Sequence, residues 1–319
     1  MRPTALDLME RGYIPDWLAR IGIRRRLAHC LHAGDGFAPQ AADVETDLLA
    51  AMRSSLLASH TAATYPQREE PSIHFFQRVL GPRLKYSACW WPAEVKDLET
   101  AEAAMLALSC ERAELGFDQD ILELDCGWGA LTLWMAEFYP DSRIIAVANT
   151  RSQQAFIAAR CQERGFNNVQ VITANLNDFH PDRYFDRVVS IESFEHAHHD
   201  REWIALIHRW LKPGGKLFMH RRSHPHPTDP CKTEQDSMRL EATWHFNGHH
   251  YQCTLEAWLA NLDRERDEIM RLFQENDDTH QAKRWFQRWR ILFMAYAELF
   301  GYRDGEIGGI SHYRFSKSP

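Results

Sequence analysis

Between residues 119 and 130 the chain reads Gln-Asp-Ile-Leu-Glu-Leu-Asp-Cys-Gly-Trp-Gly-Ala: an apolar run stops in a glycine-rich turn, and an apolar-periodic segment starts at once. This pattern predicts strand, tight turn and helix. The alternation continues downstream. It predicts a helix over 131–138, a strand over 143–148, a helix over 152–165, strands over 169–174 and 187–191, a helix over 203–211, a Lys-Pro-Gly-Gly turn and a strand over 216–220. Strands separated by single helices imply parallel neighbours joined by right-handed crossovers, hence an α/β, Rossmann-like sheet. Upstream, Leu6, Met9, Ile14, Leu18, Ile21, Leu27 and Leu31 recur at helical spacing, and residues 43–58 repeat the pattern, so the first hundred residues read as mainly helical. Residues 65–71 are polar and Pro-bounded, aromatics crowd 75–80 and 85–91, and 100–114 reads as an amphipathic helix. The Pro- and His-rich stretch 221–251 reads as a loop over one sheet edge. Helical patterns over 255–274 and 279–300 and a closing strand over 310–315 finish the chain. The resulting divisions are 1–115 (helical arm and cover), 116–222 (sheet core), 223–302 (loop and helical cap) and 303–319 (a strand completing the sheet).

The net charge of −7 argues against a phosphate-binding track, and no Lys/Arg-rich stripe offsets it, so nucleic acid is excluded as a partner. No signal-like apolar core opens the chain and no run approaches ~20 apolar residues, which predicts a cytoplasmic protein without stable membrane association. Seven scattered cysteines without a CxxC pair read as reduced, mostly buried thiols. A homodimer is compatible with all of this.

Gly127 and Gly129, one residue apart with Glu123 upstream, suit the nucleoside-binding turn of S-adenosylmethionine (SAM) enzymes better than the longer GxGxxG of dinucleotide enzymes, which needs a third glycine. The cofactor inferred is therefore SAM. The second strand ends at Asn149 without an acid. Asn149 and Gln153 can bond ribose hydroxyls or the methionine end through their amides; a plain helix start, with Ser152 as cap and Gln153 solvated, is the alternative. After the fourth strand comes Ser190-Ile191-Glu192-Ser193-Phe194-Glu195-His196, where two carboxylates and an imidazole gather at the sheet's carboxyl end. Methyl transfer to an amine needs a nitrogen stripped of its proton; carboxylates attract the ammonium form, and Glu195 or His196 can take the proton. The alternative makes Glu192 and Glu195 solvated acids in a helix first turn. His220, His224, His226, His245, His249 and His250 raise a metal hypothesis, but no cysteine or carboxylate pattern completes it, and surface histidines in a polar loop are preferred; no metal is expected. Trp289 and Phe293, in an aromatic stripe from Trp285 to Tyr296, line either a substrate pocket or the core. No GxSxG turn supports hydrolase chemistry.

Taken in order, Lys85-Tyr86-Ser87-Ala88-Cys89-Trp90-Trp91, residues 101–111, the 121–130 turn, 149–153, Phe185-Asp186-Arg187 through Phe194-Glu195-His196, and Ala297-Glu298-Leu299-Phe300-Gly301-Tyr302 resemble the cyclopropane-fatty-acid-synthase-like methyltransferases, and within them the coclaurine N-methyltransferase group. The resemblance runs from Ile14-Pro15-Asp16 onward. It implies a class I methyltransferase sheet with an N-terminal helical arm and an inserted helical cap, and SAM as cofactor. By position it puts catalytic roles on Glu192, Glu195 and His196, cofactor contacts on Tyr86, Ser87, Glu123, Asp125, Gly127, Gly129, Asn149, Gln153, Asn175 and Leu176, and substrate contacts on Glu70 and, where the family has a tyrosine, Glu69.

Four departures accompany it. Asp125 stands where the family has its first motif glycine, and Asn175 where it usually has an acid near the adenine. Residues 221–251 are shorter than in the plant enzymes. Ala88 stands where lipid-modifying relatives carry a cysteine, which favours methylation of a heteroatom over cyclopropanation. The expectation is a SAM-dependent N-methyltransferase for a small, aromatic or heterocyclic amine; a fatty-acyl phospholipid cyclopropane synthase or methyltransferase and a non-catalytic SAM-binding scaffold are the rivals.

Overall fold

The computed structural model describes residues 4–32, 72–193, 200–223, 238–275 and 277–318. Glu69, Glu70, Glu195, His196, His224, His226 and the pattern over 43–58 lie outside the described residues. In chain order the elements are α1 (Ala5–Glu10), α2 (Asp16–His32), α3 (Ile73–Val79), α4 (Leu98–Arg112), β1 (Asp120–Leu124), α5 (Ala130–Phe138), β2 (Arg143–Ala148), α6 (Arg151–Arg164), β3 (Val169–Thr173), β4 (Phe185–Ile191), α7 (Asp200–Trp210), β5 (Leu211–Ser223), β6 (Arg239–Asn247), α8 (His249–Arg264), α9 (Arg266–Gln274), α10 (Thr279–Phe300) and β7 (Gly309–Ser316). By contact they group into two units.

The first unit takes the described residues of 82–246 and 309–319. Its seven-stranded sheet has the order β3-β2-β1-β4-β5-β7-β6. The β1–β2, β1–β4, β2–β3 and β4–β5 pairs are parallel and β7 runs antiparallel to β5. Strand β1 shows why the sheet is two-sided: Leu122 and Leu124 pack with Ile204, Ile207 and Trp210 of α7, whereas Ile121 meets Leu106 of α4 and Leu131 and Met135 of α5. Helix ends are placed by short polar caps. Asp97 accepts from the Thr100 amide at 2.8 Å to start α4, and Thr150 accepts from the Gln153 amide at 3.3 Å to start α6. The order reverses between β1 and β4, so the carboxyl ends of these two strands form the crevice where open α/β sheets bind ligands.

The second unit takes the described residues up to Gly81 and Asn247–Gly308 and is helical. Its core is built around α10, where Phe286 and Phe293 are buried, with Trp258 of α8 5.8 Å from Phe293 between ring centroids. Charge ties the helices: buried Glu10 of α1 meets Arg284 at 2.6 Å and Arg288 at 3.1 Å, and Arg290 pairs with both Asp16 and Asp263 at 2.6 Å.

Two expectations need correction. Residues 221–251 are not one loop: they hold the end of β5, all of β6 and the start of α8. Leu240, Ala242, Trp244 and Phe246 alternate with polar residues, the mark of a strand, but the surrounding histidines and prolines hid it. The helix expected over 255–274 is two helices that break at Glu265 (φ −91°, ψ 17°). The buried positions Leu262 and Ile269 keep seven-residue spacing across the break, so periodicity carries no trace of it.

Candidate active site

Strand β1 delivers the chain into the turn Asp125-Cys126-Gly127-Trp128-Gly129. Three of its five residues are left-handed, Asp125 at φ 56°, Gly127 at 52° and Gly129 at 81°. The two glycines serve different needs. A Cβ on Gly129 would lie 2.7 Å from Ile157 Cγ1, so this position lets the turn seat on α6. A Cβ on Gly127 would meet nothing within 4 Å: that side of the turn is open. The sheet reaches over the turn through Cys126, whose amide donates to the Val147 carbonyl at 2.9 Å.

Glu123, two residues before the turn, is only 3 % exposed and accepts from the Thr132 hydroxyl. Burial, aided by the nearby Asp125 charge, pushes its carboxyl up to about 8, although the Thr132 bond opposes the rise. Asp125, in the place of the motif glycine, accepts at 2.6 Å from the side-chain amide of Asn149 at the end of β2. Buried Gln153 accepts from the Asn149 backbone amide at 3.2 Å. Asn149 thus joins the turn after β1 to the turn after β2. Asn175 is exposed just beyond β3, and Leu176 begins a short 3₁₀ turn whose start is pinned by the Ala174 amide donating to the Ala148 carbonyl at 3.1 Å.

Strand β4 ends beside β1 and leaves the sheet through Glu192, also left-handed at φ 53°. Its backbone amide donates to the His220 carbonyl at 2.7 Å, and Ser193 Oγ donates to the Leu124 carbonyl at 3.3 Å, holding this exit against the β1 turn. The Ala88 amide donates to Glu192 Oε1 at 2.8 Å. The segment bearing Ala88 is itself fixed from within: buried Lys85 donates to Ser87 Oγ at 2.5 Å and to the Ala88 carbonyl at 2.6 Å, and buried Glu102 accepts from the Arg83 and Lys85 amides. Burial lowers the Lys85 ammonium, with the thiol and carboxylates around it pulling the other way. For Glu192 burial works upward, yet the neighbouring His220, the Arg222 charge and the Ala88 N–H hold the carboxyl below its ordinary value. Glu192 is therefore an anion at neutral pH.

The structure brings Ser87, Glu123, Asp125, Gly127, Gly129, Asn149, Gln153 and Glu192 to the carboxyl edge of one sheet. Tyr86, beside Ser87, is 44 % exposed. Trp289 and Phe293 lie in the helical unit: Phe293 is buried in its core, and Trp289 packs 4.7 Å from Phe75. His220 corrects the expectation of surface histidines, since it is 1 % exposed and bonded to His312 at 3.0 Å. His312 and Arg112 went unnoticed in the sequence. The signal that finds them is the antiparallel register, which pairs His220 with His312. Among the described residues no group of three His, Cys, Asp or Glu could hold a metal.

A sheet of this order, with its last strand antiparallel, an open-sided glycine turn after β1 and a buried acid before it, defines a SAM-dependent methyltransferase of class I. Gly127 leaves one side of the turn open, and Asp125 and Asn149 meet at the ends of β1 and β2 beside that turn. The chain belongs to the family described as mycolic acid cyclopropane synthetase, whose model matches residues 67–241. It is 30 % identical to (S)-coclaurine N-methyltransferase of Thalictrum flavum subsp. glaucum over 98 % of this chain and 95 % of that one. Among solved structures it is similar to a coclaurine N-methyltransferase bound to N-methylheliamine and S-adenosylhomocysteine (SAH), with a TM-score of 0.82, 29 % identity and 98 % of each chain covered. A cyclopropane synthase of Mycobacterium tuberculosis shares the fold, with a TM-score of 0.65 and 22 % identity over 77 % of this chain and 94 % of that one. No described helix is long and apolar enough to cross a membrane.

Proposed function

We propose that this enzyme methylates the nitrogen of a small amine bearing an aromatic or heterocyclic ring, in the manner of its coclaurine relatives. The observation that carries this reading is Glu192: a carboxylate kept ionised at the end of β4, beside the glycine turn, is suited to draw in an ammonium ion. When bound, SAM supplies an electrophilic methyl on a sulfonium sulfur. The residues of this chain do the rest. The Gly127 turn and Asn149 hold and orient the cofactor, and Glu192 holds the acceptor nitrogen. A carboxylate held this far down is a poor proton acceptor, so Glu195 or His196 removes the ammonium proton before the nitrogen attacks. Attack by the freed nitrogen on that methyl would give SAH and the N-methylated ammonium ion, whose positive charge Glu192 is placed to hold. Glu69 and Glu70 add negative charge for the ammonium. The free thiols of the described cysteines support a cytoplasmic location.

The test is methyl transfer from radiolabelled SAM to coclaurine and heliamine, run beside phospholipid vesicles containing unsaturated acyl chains. Label in the amines is expected. Label confined to lipid would replace this reading with the cyclopropane-synthase one. No label anywhere, with SAM binding intact by calorimetry, would leave a cofactor-binding scaffold.

A further inference from the structure

Behind Glu192 runs a line of polar side chains, all within the sheet unit, from the half-buried Arg112 to the buried His312 and His220. Arg112 of α4 lies 3.0 Å from His312 Nδ1. His312 Nε2 lies 3.0 Å from His220 Nδ1, and His220 Nε2 lies 3.3 Å from Glu192 Oε1. His312 is fully buried and its ring is tilted 39° to that of His220 across the β5–β7 pair. The Arg112 guanidinium is sandwiched by aromatic faces of β6, at 4.7 Å from Trp244 and 4.6 Å from Phe246.

The donor and acceptor inventory of these groups fixes every hydrogen. A guanidinium only donates, so His312 Nδ1 accepts. A neutral imidazole with an accepting Nδ1 carries its hydrogen on Nε2, so His312 donates to His220 Nδ1. The same logic then puts the hydrogen of His220 on Nε2, on the side of Glu192 Oε1 3.3 Å away, in a charge contact without the alignment of a hydrogen bond. Burial favours the neutral form of both rings, in keeping with this assignment.

We propose that Arg112, His312 and His220 form a one-way donor line that locks Glu192 as a carboxylate turned toward the methyl acceptor, with His312 and His220 as positioning residues. This rests on the amine-methylating reading of Glu192. The line is polarised toward the site and cannot conduct a proton out of it. A proton arriving on Glu192 finds His220 Nε2 already occupied, and every ring would have to change tautomer before it could move on. Glu192 therefore binds the ammonium and leaves proton removal to another group.

Nitrogen-15 NMR of histidine-labelled enzyme, assigned with the variants below, reads the hydrogens directly. Neutral rings with Nε2–H at both His220 and His312 at pH 7 are expected; Nδ1–H or an imidazolium at either position overturns the proposal. The second arm uses His312→Leu, which cuts the line, and His312→Gln, whose amide can accept from Arg112 and donate to His220. Loss of an outer hydrogen-bonding partner predicts a fall of about tenfold in kcat/KM for heliamine in His312→Leu, with SAH affinity unchanged. His312→Gln should stay within about threefold of the wild type, since it keeps both bonds. Leu behaving as wild type, or Gln as impaired as Leu, overturns the proposal. If Leu does not fold, the Gln variant and the wild-type spectrum carry the test. If the tautomers are as assigned but the wild type methylates no amine, the donor line stands and the amine reading falls.

Discussion

The side-chain amide of Asn149 donates to the carboxylate of Asp125 at 2.6 Å, joining the ends of β2 and β1 across the cofactor turn. Asp125 occupies a left-handed position that glycine fills more easily, and it places a charge near buried Glu123. The Asn149 amide helps to hold that charge. Replacing Asn149 by Ala should then cost about 0.5–1.5 kcal/mol, the net worth of one hydrogen bond in a site open to water. In an Asp125→Gly background the same change should cost little. Urea unfolding of the two single variants and the double variant measures the coupling, and simple additivity would show that the pair does not act together.

The two turn glycines should fail differently. Gly129→Ala combines a positive φ with a 2.7 Å approach to Ile157, so stability should drop by about 2–4 kcal/mol as strain and overpacking add. Gly127→Ala meets no atom and should cost only about 1–2 kcal/mol for the left-handed backbone. Its methyl group intrudes on the open side of the turn, so SAH binding should weaken far more than folding does. Thermal melts beside SAH calorimetry separate the two effects; wild-type affinity in Gly127→Ala would remove the cofactor from this side of the turn.

Glu123 gives the cofactor-free enzyme a distinctive response to pH. Its carboxyl is raised from an ordinary value near 4.5 to about 8 in the folded state. The native state therefore holds this proton longer than the unfolded chain does, and stability is lost as pH climbs from about 4.5 through about 8. Glu123→Gln, neutral throughout, should flatten that part of the curve. Urea midpoints between pH 5 and 9 test it; parallel curves for the two proteins would mean that Glu123 is ionised throughout.

Glu192→Gln keeps an acceptor for the Ala88 amide but loses the negative charge. Turnover with an amine should fall by about 10²-fold, the scale of removing one electrostatic stabiliser from an active site, while SAH affinity holds. Steady-state kinetics and calorimetry provide both numbers. A parallel loss of SAH binding would move Glu192 to the cofactor side.

Much of the sheet was legible because each strand from β1 to β4 is a short apolar run closed by turn chemistry, and α10 was read to the residue from its uninterrupted period. The glycine turn and Glu192 could be singled out for the same reason: they follow directly on such runs. What escaped is set by long-range pairing. His220 and His312 are 92 residues apart in sequence and meet only through the β5–β7 register, and Arg112 reaches them from a helix whose pattern says merely that it is amphipathic. The polar partners of β6 hid a strand whose aromatic face cages that arginine.

Strand β6 is one edge of the seven-stranded sheet, four places from β1, yet Trp244 and Phe246 grip the cation that begins the path to Glu192. The periphery of the sheet thereby acquires leverage over its centre. Exchanges at these two aromatics should register first as altered amine preference, giving the enzyme a place to diversify without disturbing the cofactor turn.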